Sequence, residues 1–318
     1  MRVCIVGAGS WGTAFAVLLR DHGHEVTLAC RDGEQAEAIA ATARNPKVLS
    51  HVDLTGIGAA AIDRAPIVEA NLVVVAVPSA VFAAVVAALP GKAPVLSLTK
   101  GLDPATGDRL STLVHGRPVA VLSGPNLSGE IARGLPAAAV IACEDTPLAI
   151  QLQLAITTPS FRVYVNDDMV GVELCAAAKN VIALAAGSAD GLGLGDNAKA
   201  ALVARGLAEM GRLAHAAGGR SETFAGLAGM GDLVVTCWAA SGRNRRCGEL
   251  VARGATPSEA AAEIGTVVEG LTTAPVLREL AHRLEIEMPI TEGVCAVLEG
   301  VPLTDLVAAL MSREPTSE

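Results

Sequence analysis

The sequence predicts a doubly wound α/β domain followed by an all-α domain. Three observations carry this. Short β-branched-rich runs alternate with helical stretches through the first half of the chain. Several of those runs are apolar throughout. Strand signals then almost cease near residue 166.

Residues 2–6, 25–30, 72–77, 94–98, 119–122 and 138–142 read as strands, bounded by Gly, Pro or Asp. Apolar residues at every position, rather than alternate ones, fit a parallel sheet covered on both faces. Residues 13–20, 34–43 and 80–88 read as helices between them. The pattern changes after Phe161-Arg162-Val163-Tyr164-Val165. From there residues 170–186, 198–217, 248–253, 273–283, 292–299 and 303–311 read as helices, with Gly and Pro in the gaps. The expected domains are therefore 1–165 and 166–318, the second ending in a polar tail at 313–318.

At 318 residues the chain is long enough for two domains of ordinary size. Hydrophobic residues make up 51% of it, yet no uninterrupted apolar run reaches the length of a membrane span, about 18–20 residues. Met1-Arg2 leads straight into a strand pattern without the parts of a signal peptide, so a cytoplasmic protein is expected. The seven cysteines are odd in number and include no C-x-x-C pair, which points to reduced, mostly buried thiols. None of the six histidines forms H-E-x-x-H, and no metal is expected. A net charge of −9 lacks the basic footprint of a nucleic-acid binder, and 2% aromatic residues offer no stacking platform. An anionic ligand must then be held by a local group of cations and backbone N–H groups.

Gly7-Ala8-Gly9-Ser10-Trp11-Gly12 follows the first strand and opens the first helix. Gly7 permits a tight turn, Gly9 lets the backbone approach a pyrophosphate, and Gly12 allows close helix–strand packing. The pyrophosphate would sit on the free N–H groups of the helix N-terminus. This context makes the first domain a Rossmann-type dinucleotide site for NADP(H), NAD(H) or both. Beyond the second strand the chain reads Ala29-Cys30-Arg31-Asp32. Arg31 suits a 2′-phosphate or an adenine face, while Asp32 keeps NAD(H) binding open.

A set of motifs in fixed order extends over nearly the whole chain. After the glycine turn come Val77-Pro78-Ser79, Thr99-Lys100-Gly101, Ser123-Gly124-Pro125 and Ala178-Lys179-Asn180-Val181. Gly229-Met230-Gly231-Asp232-Leu233, Arg243-Asn244-Arg245-Arg246 and Val267-Val268-Glu269-Gly270 complete it. The ordered set resembles the bacterial NAD(P)-dependent glycerol-3-phosphate dehydrogenases. Related two-domain dehydrogenases share the first motif but not the later ones.

The resemblance implies oxidation of the C2 hydroxyl of glycerol 3-phosphate, or reduction of dihydroxyacetone phosphate, supplying glycerol 3-phosphate for phospholipid synthesis. It makes Lys179 the base, with Lys100 reaching substrate and cofactor and Asp232 accepting from a substrate hydroxyl. An ordinary lysine is a poor base at neutral pH, and burial or a second cation lowers its pKa. The apolar neighbours Leu174-Cys175-Ala176-Ala177-Ala178 and Val181-Ile182-Ala183 fit a buried Lys179. Arg243 and Asn244, after Gly242, open a helix whose N-terminus suits a phosphate. By the same resemblance Gly124, Asn126 and Gly242 border the substrate, and Ser10, Trp11, Lys100, Ser128, Arg243, Val267 and Glu269 border the cofactor.

The chain departs from the family pattern at Asn126-Leu127-Ser128, at Gly242 and at Val48-Leu49-Ser50. Other readings are a related dehydrogenase acting on another small hydroxy acid or phosphorylated polyol, and a catalytically silent NADP(H) sensor. Arg243-Asn244-Arg245-Arg246 with Gly231-Asp232 suits a small phosphorylated polyol rather than a hydroxy acid, and the presence of Lys100, Lys179 and Asp232 argues against the sensor. A homodimer is left open.

Overall fold

The computed structural model describes residues 1–304. Of the helix expected at 303–311 only residues 303 and 304 fall among these, and the polar tail lies outside them.

The first domain runs β1 (Arg2–Val6), α1 (Ser10–Asp21), β2 (Glu25–Cys30), α2 (Gly33–Thr42), β3 (Ile57–Ala61), β4 (Leu72–Val75) and α3 (Ser79–Ala88). It continues through β5 (Val95–Ser97), β6 (Val119–Ser123), α4 (Ser128–Ile131), β7 (Ala137–Ala142), α5 (Thr146–Ile156) and β8 (Phe161–Asn166). The strands form one sheet in the order β3-β2-β1-β4-β5-β6-β7-β8. All neighbours are parallel except β6 and β7. Both faces are covered, as the uniformly apolar strands require. Val3, Ile5, Leu72 and Val74 pack with Phe15 on one face, while Cys4, Val6, Val73 and Val75 pack with Phe82 on the other.

In the first domain two strands, β3 and β8, and two helices, α4 and α5, were not legible in advance, nor were the helices Ser221–Ala225, Asp232–Trp238 and Pro257–Ile264 in the second. β3 is Ile57 followed by glycine and alanines, residues of low strand propensity, and its pairing along β2 from Val26↔Ile57 to Cys30↔Ala61 supplies what propensity does not. β8 alternates buried and exposed residues at the sheet edge. α5 is started by Asp145, whose carboxylate accepts from the Leu148 N–H at 3.1 Å. The strand expected at 72–77 stops at Val75, and that at 94–98 shortens to Val95–Ser97. These chain segments turn into the site instead.

Beyond β8 the described chain is helical: α6 (Met169–Gly191), α7 (Gly195–Ala216), α8 (Ser221–Ala225), α9 (Asp232–Trp238), α10 (Arg243–Ala252), α11 (Pro257–Ile264), α12 (Glu269–Arg283) and α13 (Pro289–Leu298). A π-helical turn at Leu227–Gly231 leads into α9. α6 is the spine of this domain. Among the described residues it alone is long and apolar enough to cross a membrane, but 89% of that window is buried inside the protein. Its partners are α7, α9, α10 and α12. Glu173 and Lys179 interrupt its apolar run, so it is a core helix carrying buried charges. All seven cysteines are buried and unpaired, as expected.

Candidate active site

The chain after β4, β5 and β6 meets the helical domain through Ser79, Lys100 and Pro125, the turn after β1 lies beside Ala76 just past the end of β4, and the site lies along that junction. Each glycine of the first turn has its own reason. Gly7 sits at φ +112°, and a Cβ there would lie 2.4 Å from the Ala76 carbonyl oxygen. A Cβ on Gly12 would lie 2.0 Å from the Gly7 carbonyl oxygen. Nothing lies within 4 Å of a Cβ on Gly9, so that side of the turn is open. Gly9 also caps α1 without a side chain, which leaves the helix N–H groups available to an anion. These residues fit the pyrophosphate of a dinucleotide. Ser10 and Trp11 form the first turn of α1, with Trp11 edge-on to Phe15.

Arg31 is exposed just past β2 and makes no hydrogen bond or ion pair among the described residues. Asp32 is committed elsewhere. Its Oδ1 accepts from the Glu34 N–H at 3.0 Å to cap α2, and its Oδ2 pairs with Lys47.

Three charged groups, one from the first domain and two from the second, meet at one point. Lys179 Nζ donates to Asp232 Oδ1 at 2.5 Å and to Thr236 Oγ1 at 3.0 Å. Lys100 Nζ, from the loop after β5, donates to Asp232 Oδ2 at 2.7 Å and to the Gly124 carbonyl at 2.9 Å. Asp232 and Thr236 lie one turn apart on α9 and share a face. The turn before α9 needs its glycine, since a Cβ on Gly229 would lie 2.2 Å from the Phe224 carbonyl oxygen.

Burial lowers the Lys179 pKa to about 7; Asp232 opposes the shift and Lys100 adds to it. Burial raises the Asp232 carboxyl, but the two ammonium groups outweigh it and hold it below its ordinary value. The result is a lysine that exchanges a proton near neutrality, beside a carboxylate that stays ionised.

Residues 2–149 match the family model described as NAD-dependent glycerol-3-phosphate dehydrogenase N-terminus, and residues 168–308 match the corresponding C-terminus. Glycerol-3-phosphate dehydrogenase [NAD(P)+] of Moorella thermoacetica is 46% identical over 99% of this chain and 97% of its own length. The chain belongs to the NAD-dependent glycerol-3-phosphate dehydrogenase family. The enzyme of that name from Nocardia farcinica is 45% identical over 98% of both chains. In structure, the glycerol-3-phosphate dehydrogenase of Coxiella burnetii superposes with a TM-score of 0.94 at 38% identity, covering 98% of this chain and 99% of that one.

The remaining residues expected of this family fall into a second group beside the lysine pair. Gly242 caps α10, and Arg243 opens it, exposed, with Nη1 donating to the Val267 carbonyl at 2.9 Å. Glu269, at the start of α12, accepts from Ser79 N–H at 3.1 Å and Ser79 Oγ at 2.6 Å across the domain junction. Burial raises the Glu269 pKa, against the Ser79 hydrogen bonds and the Arg243 charge. Asn244 is buried with both amide atoms engaged: Nδ2 donates to Asn180 Oδ1 at 2.8 Å, and Oδ1 accepts from Gly270 N–H at 2.9 Å. Asn180 in turn donates to the Lys100 carbonyl at 3.2 Å. Side-chain amides thus tie the Arg243 helix to the lysine pair.

Other expected residues stand apart. Asn126 turns toward β7, its Nδ2 donating to the Ala138 carbonyl at 3.2 Å, and makes no hydrogen bond to the lysine pair. Gly124, by contrast, stays beside the lysine pair through its carbonyl, and its φ of +132° requires glycine, since a Cβ would crowd Ala138 and Ala139. Ser128 opens the short α4, and Arg31 sits beyond β2. Thr236, Asn180 and Ser79 were not singled out from the sequence. The spacing of Thr236 from Asp232, one helical turn, was the available signal for the first.

Proposed function

We propose that the chain interconverts sn-glycerol 3-phosphate and dihydroxyacetone phosphate. The observation that carries this reading is the buried Lys179, poised near pH 7 between Asp232 and Lys100. When bound, a nicotinamide dinucleotide accepts or supplies the hydride. Neutral Lys179 takes the proton of the C2 hydroxyl. In the other direction protonated Lys179 polarises the ketone and returns that proton. Lys100 holds Asp232 ionised and adds positive charge where oxygen becomes negative. Asp232 orients both ammonium groups and accepts from a substrate hydroxyl. Arg243, with Gly242 and Asn244 at the uncapped N-terminus of α10, grips the phosphate. Gly124 and Asn126 border the substrate.

For the dinucleotide, Gly7, Gly9, Ser10, Trp11 and Gly12 hold the pyrophosphate, and Arg31 reaches the 2′-position. Lys100, Ser128, Arg243, Val267 and Glu269 line the rest of its path. Both coenzymes serve, with NADPH preferred. The division between the two domains, 1–165 and 166–318, falls at the last residue of β8, just ahead of α6. A purified sample given dihydroxyacetone phosphate and NADPH must form glycerol 3-phosphate in step with NADPH loss. NADPH loss without that product overturns the proposal.

A further inference from the structure

The far end of α6 carries a carboxylate that the chemistry above does not use. Asp190 lies about three turns beyond Lys179 on the same helix. Its Oδ2 accepts from Lys199 Nζ of α7 at 2.7 Å and from Arg245 Nε of α10 at 2.6 Å. Lys199 is 4% exposed, and its Nζ also sits 5.1 Å from the centre of the Trp238 ring, the last residue of α9. One carboxylate therefore holds the end of α9 through Lys199 and the first turn of α10 through Arg245. Only residues 239–242 join those two points, and they carry the chain from Asp232 and Thr236 to Arg243.

The backbones of α6 and α10 are already in contact. A Cβ on Gly187 would lie 1.8 Å from the Arg245 carbonyl oxygen, and one on Gly248 would lie 1.9 Å from that of Leu184. Such packing fixes how far apart the helices are. It does little to fix how far one has slid along the other, because glycine offers no side chain to interlock. Directional polar contacts do that: Asn244 to Asn180 at one point along α6, and Arg245, two residues from Arg243, to Asp190 at another.

We infer that Asp190 is a positioning residue for the phosphate grip: together with Asn180 it sets the register of α10 on α6 and thereby the place of Arg243. The inference rests on the proposed role of Arg243. Asp190 touches neither the lysine pair nor the glycine turn, so its loss acts first on the substrate phosphate, and on the dinucleotide only through the edge that Arg243 shares with Val267.

The test is a cycle of Asp190→Asn, Arg243→Ala and the double variant. For dihydroxyacetone phosphate, Asp190→Asn should raise KM by about tenfold or more, since small misplacements of a positioning group are costly. The pH midpoint of kcat should stay within error, and the Kd for NADPH should change several-fold less than KM does. In the double variant KM should match that of Arg243→Ala alone, because one residue acts through the other. Arg245→Lys, which keeps the charge but loses the Nε contact, repeats the experiment if Asp190→Asn does not fold. A folded Asp190→Asn with KM within twofold of wild type overturns the inference while Arg243→Ala still raises KM. So does an equal loss of NADPH affinity, or effects that simply multiply in the double variant. If Arg243→Ala leaves KM unchanged, the phosphate reading fails and this inference falls with it.

Discussion

Lys179 Nζ and Asp232 Oδ1 stand 2.5 Å apart, with Lys179 5% exposed and Asp232 1%. Lys100 completes the group from the other domain, 2.7 Å from the second carboxylate oxygen. With both lysines charged, two cations share one buried anion. Loss of the Lys179 proton leaves a one-to-one ion pair of Lys100 with Asp232. Burial disfavours the surplus charge, which is why the proton leaves near pH 7 rather than at the usual value for lysine.

Lys179→Met should abolish turnover and leave NADPH binding nearly intact, because its Nζ bonds are to Asp232 and Thr236 and none reach the glycine turn. Base catalysis contributes about 10²–10⁴-fold. Steady-state kinetics and a coenzyme titration on the same sample check both halves. A variant retaining more than about a tenth of wild-type kcat removes Lys179 from the mechanism.

The pH dependence follows with a definite sign. Oxidation needs neutral Lys179, so its kcat/KM should rise through about pH 7 and level off above it. Reduction needs the protonated form and should fall over the same range. Lys100 lowers the Lys179 pKa, so Lys100→Met should move both limbs to higher pH as well as slowing the reaction. Profiles measured in both directions decide this, and a shift to lower pH would contradict it.

Much of this was legible in the residues, for identifiable reasons. Strands buried on both faces, such as β1 and β4, carry their signal in every residue. β3 does not, since Gly58 and three alanines acquire strand geometry only by pairing with β2. The glycine turn was readable because Gly7 and Gly12 meet steric demands that no other residue satisfies, while Gly9 keeps the face toward the expected pyrophosphate open. Lys179, Lys100 and Asp232 were marked by motif order, but their meeting point depends on how the domains pack, which local sequence does not encode. The roles of Asn180 and Ser79 were hidden for the same reason: Asn180 bonds to the Lys100 carbonyl and Ser79 to Glu269, across the junction.

Arg31 should govern coenzyme choice. Asp32 is tied to Lys47 and to the cap of α2, so the guanidinium next to it is the free charged group past β2. Arg31→Ala should weaken NADPH selectively, by about 1.5–3 kcal/mol for a hydrogen bond to a charged group. Titrating both reduced coenzymes against wild type and variant reads the ratio. An unchanged NADPH/NADH ratio makes Arg31 a solvated loop residue.

The glycine turn separates binding from folding. Gly9→Ala places a methyl in open space, so the protein should fold with a native melting temperature yet bind both coenzymes weakly. Gly12→Ala drives a methyl into the Gly7 carbonyl and should lower the melting temperature as well. Calorimetry with and without NADPH distinguishes them. Full coenzyme affinity in Gly9→Ala would show that the pyrophosphate lies elsewhere.

The central claim is that this site oxidises and reduces a small phosphorylated polyol, and one assay addresses it directly. NADPH absorbance is followed with dihydroxyacetone phosphate, then with free dihydroxyacetone, other unphosphorylated ketones and 3-keto acids. Two charge-assisted contacts from Arg243 to the phosphate, at about 1.5–3 kcal/mol each, give a preference in kcat/KM of about a hundredfold or more. The account predicts that margin for dihydroxyacetone phosphate over every other compound. An unphosphorylated ketone or 3-keto acid turned over equally well would contradict it.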